Sequence, residues 1–206
     1  MNALPALLLA AAAVVLPAET VRVSPSGQRS LQAVIDAARN GDTIVLAAGT
    51  YSSAAAVTLA DRERLTLRGE GSVRIVCTDL YQNVIAVIGG RDLRIEGIQA
   101  RHAQPLSAYE CEGSVICAEN VKGLVISRCE LAGSGSIGVD LSGSEEVEVT
   151  GCWLHNNTFA AISLTDVSSI TISDNRIVGN AATMYAAGVS GLTMSGNVIS
   201  DNGASR

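Results

Sequence analysis

The 206-residue sequence predicts an all-β fold, a right-handed single-stranded parallel β-helix with a short N-terminal capping helix. Two observations carry the solenoid. One short phrase, two apolar residues one apart and then two more a few positions later, returns five times: Leu93/Ile95/Ile98, Leu124/Ile126/Cys129/Leu131, Val147/Val149/Cys152/Leu154, Ile170/Ile172/Asn175/Ile177 and Leu192/Met194/Asn197/Ile199. Their first residues are 31, 23, 23 and 22 apart, and Leu65/Leu67 stands 28 before Leu93. A period of this size marks a unit that cannot bury its apolar face alone and must stack on its neighbours. The second observation is that apolar residues within each phrase alternate at period two, the spacing of a strand. Parallel strands joined by crossovers wind right-handed.

The elements follow in order. Met1 to Ala18 contains an uncharged apolar stretch from Leu4 to Leu16 and ends in Pro17-Ala18, with Glu19 as the first charge. It is too short to span a bilayer and reads as a secretory signal peptide cleaved after Ala18, so the mature chain is expected to be secreted or periplasmic. No later segment has the apolar length of a membrane span. Residues 19–62 read as an N-terminal cap and first coil, and 63–206 as the repeats. Val21-Arg22-Val23 is a first strand. From Ser30 to Gly41, Leu31, Val34, Ile35 and Ala38 fall at helical spacing, with Ser30 as N-cap and Asn40-Gly41 as a left-handed stop. Its apolar stripe is expected to cover the open end of the solenoid, which otherwise exposes a core cross-section. Asp42 to Leu46 then enters the first coil, and Gly49-Thr50-Tyr51 turns out of it.

Ser30-Leu31-Gln32-Ala33-Val34-Ile35-Asp36-Ala37-Ala38, followed by Gly41-Asp42-Thr43-Ile44-Val45-Leu46 and Gly49-Thr50-Tyr51, resembles the N-terminal cap of the pectin-lyase-like superfamily. Ser173 to Asn180 and Ser195 to Asn202 resemble its parallel β-helix repeat. The resemblance covers nearly all of the mature chain and implies the right-handed β-helix. The superfamily spans polysaccharide lyases, glycoside hydrolases, epimerases, accessory proteins and adhesins, so it implies no single activity.

Within each phrase the first, third, sixth and eighth residues point inward and the chain bends between the pairs. Asn175 and Asn197 therefore continue the column of Cys129 and Cys152, where stacked amides can form a ladder. Asn157, Asn180 and Asn202 read as a second, outer column that closes the next turn. Cys129 and Cys152 are expected to be stacked core thiols. Cys111 and Cys117 flank a loop that a disulfide could clip, and the odd total of five cysteines leaves at least one unpaired.

Outward residues at matching positions form rows. Gln99, Glu130, Trp153 and Arg176 make one, and Arg101, Ala132, His155 and Val178 the next. They bring Trp153, the only tryptophan, beside Arg101, Glu130, His155 and Arg176, where a ring can stack on a sugar while charged groups bond its hydroxyls. An ordinary solvated face is the competing reading. The coil from Gln99 to Asn120 carries Arg101, His102, Tyr109, Glu110, Cys111, Glu112 and Cys117, with Asp140 one coil beyond. His102 and Asp140 are the candidate general acid/base pair, against a purely structural loop. Neither a zinc spacing nor a calcium nonapeptide occurs, so no metal and no cofactor are expected.

The net charge of −6, without Lys/Arg runs, argues against nucleic acid and makes a polyanionic glycan a less natural ligand; aromatics are only 3 %, thin for a sugar-stacking surface. The leading reading is an exported protein that engages a polysaccharide or cell-envelope glycan, as a lyase or hydrolase if it is an enzyme. The other reading is a non-catalytic surface or periplasmic scaffold. The polar tail after Ser200 supplies no cap, so the repeats are expected either to be truncated at the C-terminus, as a fragment of a longer helix, or to have their last coil covered by a partner or a second copy, and the isolated chain is expected to associate end to end.

Overall fold

The computed structural model describes residues 17–103, 111–133 and 135–203. The signal-peptide stretch lies outside these apart from Pro17-Ala18, as do Tyr109 and Glu110 of the long coil. The chain opens with β1 (Thr20–Val23) and α1 (Leu31–Ala37), continues through β2 (Thr43–Ser53), β3 (Val57–Ala60), β4 (Thr66–Cys77) and β5 (Ile85–Ile88), and then settles into a three-strand coil. The first coil holds β6 (Arg91–Glu96), β7 (Gln99–His102) and β8 (Ile116–Glu119), and the second β9 (Lys122–Ser127), β10 (Glu130–Ala132) and β11 (Ile137–Ser142). The third holds β12 (Glu145–Thr150), β13 (Trp153–His155) and β14 (Ala160–Thr165), and the fourth β15 (Ser168–Ser173), β16 (Arg176–Val178) and β17 (Met184–Ala187). β18 (Ser190–Ser195) and β19 (Val198–Ser200) complete the described strands.

Every pairing is parallel and joins equivalent strands of successive coils, so the solenoid has three faces. Leu93 pairs with Leu124, Val147 with Ile170 and Ile170 with Leu192. The second face starts after a sharp bend, where Leu131, Leu154, Ile177 and Ile199 line up. Ile116, Val139, Ile162 and Met184 line up on the third. Up to Ile162, Ile170 and Ile177 these columns form one continuous, fully buried apolar core, against which Met184 packs partly buried, while Leu192 and Ile199 on the last described coil are exposed. The 23-residue coils keep strict register, as the period predicts. The 31-residue coil places its surplus after His102, and the 28-residue coil places part of its own at Gly69–Ser72, within β4, because fixed inward columns leave room only at the corners.

The cap helix forms with Ser30 accepting the Ala33 N–H at 3.2 Å and with Leu31, Val34 and Ile35 buried. Two expectations are corrected. The helix ends at Ala37, because Ala38 is already extended while its N–H bonds Ile35 O; Gly41 is left-handed, φ 94°, but lies beyond the helix. Gly49-Thr50-Tyr51 does not turn out of the coil: β2 runs on through a bulge between Ala47 and Gly49, and Tyr51 is buried with its hydroxyl donating to Val23 O at 2.7 Å.

The Asn157 column is also corrected. It is an inner ladder, with Asn157 and Asn180 buried; Asn157 Nδ2 donates to Asn180 Oδ1 at 2.8 Å, and Asn180 Nδ2 to Asn202 Oδ1 at 2.9 Å. The turn after β13 folds inward, so a polar residue there must find partners in the core. In the other column the N–H of Cys152 donates to Asn175 Oδ1 at 2.8 Å, and that of Cys129 to Cys152 Sγ at 3.4 Å. Stacked thiols thus substitute for amides as acceptors of the same backbone donors. All five cysteines are free, so the Cys111–Cys117 clip does not form.

Candidate functional site

The second face has the shortest strands, and on β13 the sequence Trp-Leu-His allows one orientation: Leu154 enters the core and its neighbours face out. Register places Glu130 beside Gln99 on one side and beside Trp153 on the other, with Arg176 following Trp153. The predicted row is therefore continuous. Trp153 is 39 % exposed. Its ring stacks on His155, with centroids 3.9 Å apart and planes at 23°, and the Arg176 guanidinium lies 5.2 Å from its centroid, in cation–π range. Glu130 reaches diagonally to His155, whose Nε2 is 3.2 Å from Oε1, while Nδ1 is 3.0 Å from Asn156 Nδ2. The Asn156 amide therefore meets one ring nitrogen and the Glu130 carboxylate the other. His155 is thereby fixed in orientation and Glu130 is aimed along the row.

A shallow groove of about 410 Å³ follows the bend in front of this row, floored by Cys129 and Cys152 and bordered by Glu130, Trp153, Asp174 and Arg176. Arg74 extends the row past Gln99, and Arg101 stands on the same strand as Gln99, two residues on. Arg128 at the bend is paired with Glu96 at 2.8 Å. Among the described residues no carboxylate forms an ion pair with Arg74, Arg101 or Arg176. The charge on this face thus runs opposite to the net charge of the chain.

Among the described residues no hydrogen bond joins His102 to Asp140. Arg101 points out on β7, so His102 points in; it is fully buried, its Nε2 2.6 Å from Gln82 O and its Nδ1 without a partner. Burial holds its pKa below the ordinary value. Its expected place in an accessible insertion is thus corrected, and the signal was present in the sequence, since period two from Arg101 sends His102 to the core. Asp140 does face outward, on the third face, in a row with Cys117, Ser163 and Tyr185. Ser114 Oγ donates to its Oδ2 at 3.4 Å. Burial, followed by the charges of Asp140 and Glu119, pushes the Cys117 thiol up to about 12; burial pushes Cys111 up to about 11.

Sequence reasoning passed over Phe159 and Tyr185, whose rings stack with centroids 4.9 Å apart at 24°. The available signal was that Tyr185 holds the same outward position as Ser163 and Asp140. Among the described residues no three His, Cys, Asp or Glu side chains converge as a metal site, and no helix is long and apolar enough to cross a membrane.

Comparison with known proteins agrees with this architecture. A solved structure of a proposed glycosyl hydrolase from Parabacteroides merdae is 16 % identical with a TM-score of 0.65, over 77 % of this chain and 83 % of that one. An alginate lyase from a Paenibacillus species is 17 % identical with a TM-score of 0.53, over 88 % of this chain and 66 % of the lyase. The ORF18 protein of Geobacillus virus E2 is 9 % identical with a TM-score of 0.55, over 87 % of this chain but only 40 % of its own length. At these identities the likeness is one of fold. No curated protein is significantly similar in sequence. The model of the right-handed β-helix region matches residues 65–205, and on that match the chain belongs to the right-handed β-helix family.

Proposed function

We propose that the protein is exported and engages a polysaccharide or cell-envelope glycan through the Trp153 face. The observation that carries this reading is the half-exposed Trp153 ring held between His155 and Arg176, in register with an aimed Glu130. A sugar takes the ring face next to the Arg176 guanidinium, and that group moves aside to bond its hydroxyls or a carboxylate. The unpaired Arg74, Arg101 and Arg176 favour an acidic sugar here, against the expectation from net charge. The neighbours named as a glycosyl hydrolase and an alginate lyase support glycan as the ligand class.

A glycan array followed by detection of new reducing ends and unsaturated products tests binding and cleavage separately. Loss of array signal in W153A supports the reading; an unchanged profile removes it. A non-catalytic surface or periplasmic scaffold is the second reading, favoured by the scarcity of aromatic residues, 3 % of the chain. New reducing ends or unsaturated products in the same assay would remove it.

A further inference from the structure

The third face carries a feature that the Trp153 reading leaves unused. Phe159, at the turn into β14, and Tyr185, on β17, are 51 % and 49 % exposed, yet their rings are stacked on each other. Exposed aromatic rings that pair in water already hold each other in place, and each still presents an outer face. Beside Tyr185, on successive strands of the six-stranded sheet, stand Ser163 and then Asp140. Asp140 accepts from Ser114 through Oδ2, which leaves Oδ1 for another donor. The row therefore offers an aromatic platform, then a hydroxyl, then a carboxylate oxygen, at steps of about 4.8 Å.

We infer that Phe159 and Tyr185 form a second carbohydrate platform, specific for an uncharged pyranose ring and separate from the Trp153 face. Charge selects the occupant. The outward row Cys117, Asp140, Ser163, Tyr185 and the parallel row Glu119, Ser142, Thr165, Ala187 contain two carboxylates and no Lys or Arg, so a uronate would be repelled where a neutral sugar donates hydroxyl protons to Asp140. The patch is two rings beside small polar residues, the scale of a single sugar, for which one ring face suffices. Since Trp153 lies on the 13-stranded sheet and Tyr185 on the six-stranded one, the protein can hold two glycan segments at once, one acidic and one neutral.

Isothermal titration of the full chain with cellohexaose and mannohexaose, and with hexagalacturonate as the acidic probe, tests the platform. At least one neutral hexasaccharide should bind, and Tyr185→Ser or Phe159→Ser should weaken it roughly fivefold or more, while W153A leaves it unchanged and D140N weakens it less. Ring-resonance shifts of Phe159 and Tyr185 in the wild-type protein on titration give the same answer without a variant. The inference is overturned if neither neutral sugar shifts those resonances, if the folded serine variants bind as wild type does, or if W153A abolishes neutral binding. A negative result here leaves the Trp153 reading untouched, because that rests on the array and on W153A.

Discussion

Asn157 and Asn180, 23 residues apart, share one amide oxygen: Asn180 Oδ1 accepts both the side-chain Nδ2 of Asn157, at 2.8 Å, and its backbone N–H, at 3.1 Å. Asn180 Nδ2 meanwhile donates to Leu154 O at 3.0 Å. With its further donation to Asn202 Oδ1 at 2.9 Å, this one buried side chain ties three coils together.

Asn180→Leu strips two buried donors of Asn157 of their acceptor. An unmet buried group costs about 1–3 kcal/mol, so we expect a loss of at least about 2 kcal/mol, seen as a lower urea midpoint at unchanged m-value. A loss smaller than that of the exposed control Thr165→Leu would mean that the ladder contributes nothing.

Gly188→Ala should destabilise through its neighbour. Gly188 has φ 65°, and a Cβ there meets Asp166 Oδ1; Asp166 is itself left-handed, φ 53°, and corresponds to Gly143 one coil earlier, which sits likewise on Asn120. The corner alternates Asx and Gly because two side chains cannot stack there. Gly188→Ala alone should cost about 1–2 kcal/mol or more, and adding Asp166→Gly should recover part of it, so additive losses in thermal melts would remove the stacking argument.

Stability should fall at mildly acid pH through His102. Burial depresses its folded pKa below the ordinary value, outweighing the Gln82 carbonyl and Asp79. Between the two pKa values the unfolded chain therefore binds the extra proton. Stability is complete above about pH 6.5 and is lost as pH falls from there through the folded value. Urea melts at several pH values should show this slope in wild type and a flatter one in His102→Gln, and equal slopes would exclude His102 as the cause.

The thiols should be present but unreactive. Cys111 and Cys117, with pKa values of about 11 and about 12, remain protonated at neutral pH, and Cys129 and Cys152 are buried. Since the thiolate is the reactive form, native protein should take up little iodoacetamide, whereas urea-unfolded protein without reductant should take up five equivalents per chain. Three equivalents would reveal a disulfide.

For the proposed site, Trp153→Ala should weaken glycan binding by about 1 kcal/mol or more with an unchanged melting temperature, because the ring is half exposed and contributes to the face more than to the core. Calorimetric titration with the best acidic ligand of the array measures it, and equal affinities would remove the Trp153 face as its site.

The period of the apolar phrases determined most of the fold. Once Leu124, Val147 and Ile170 must lie in one column, inward and outward positions follow along each strand, and the row from Gln99 through Trp153 to Arg176 was legible before any coordinates. Period fixes position across strands but says nothing about corners, where backbone and cavity decide. The Asn157 column was therefore placed outside although it folds in, and Cys111 and Cys117 were offered a bridge they do not make. Tertiary structure alone decided which side chains touch: that His155 stacks on Trp153 and receives Glu130, that the inward His102 meets Gln82 O, and that Phe159 meets Tyr185. A strand repeat sets where a side chain begins, whereas its rotamer and its neighbour across the next coil set where it ends, and those depend on packing that no single repeat contains.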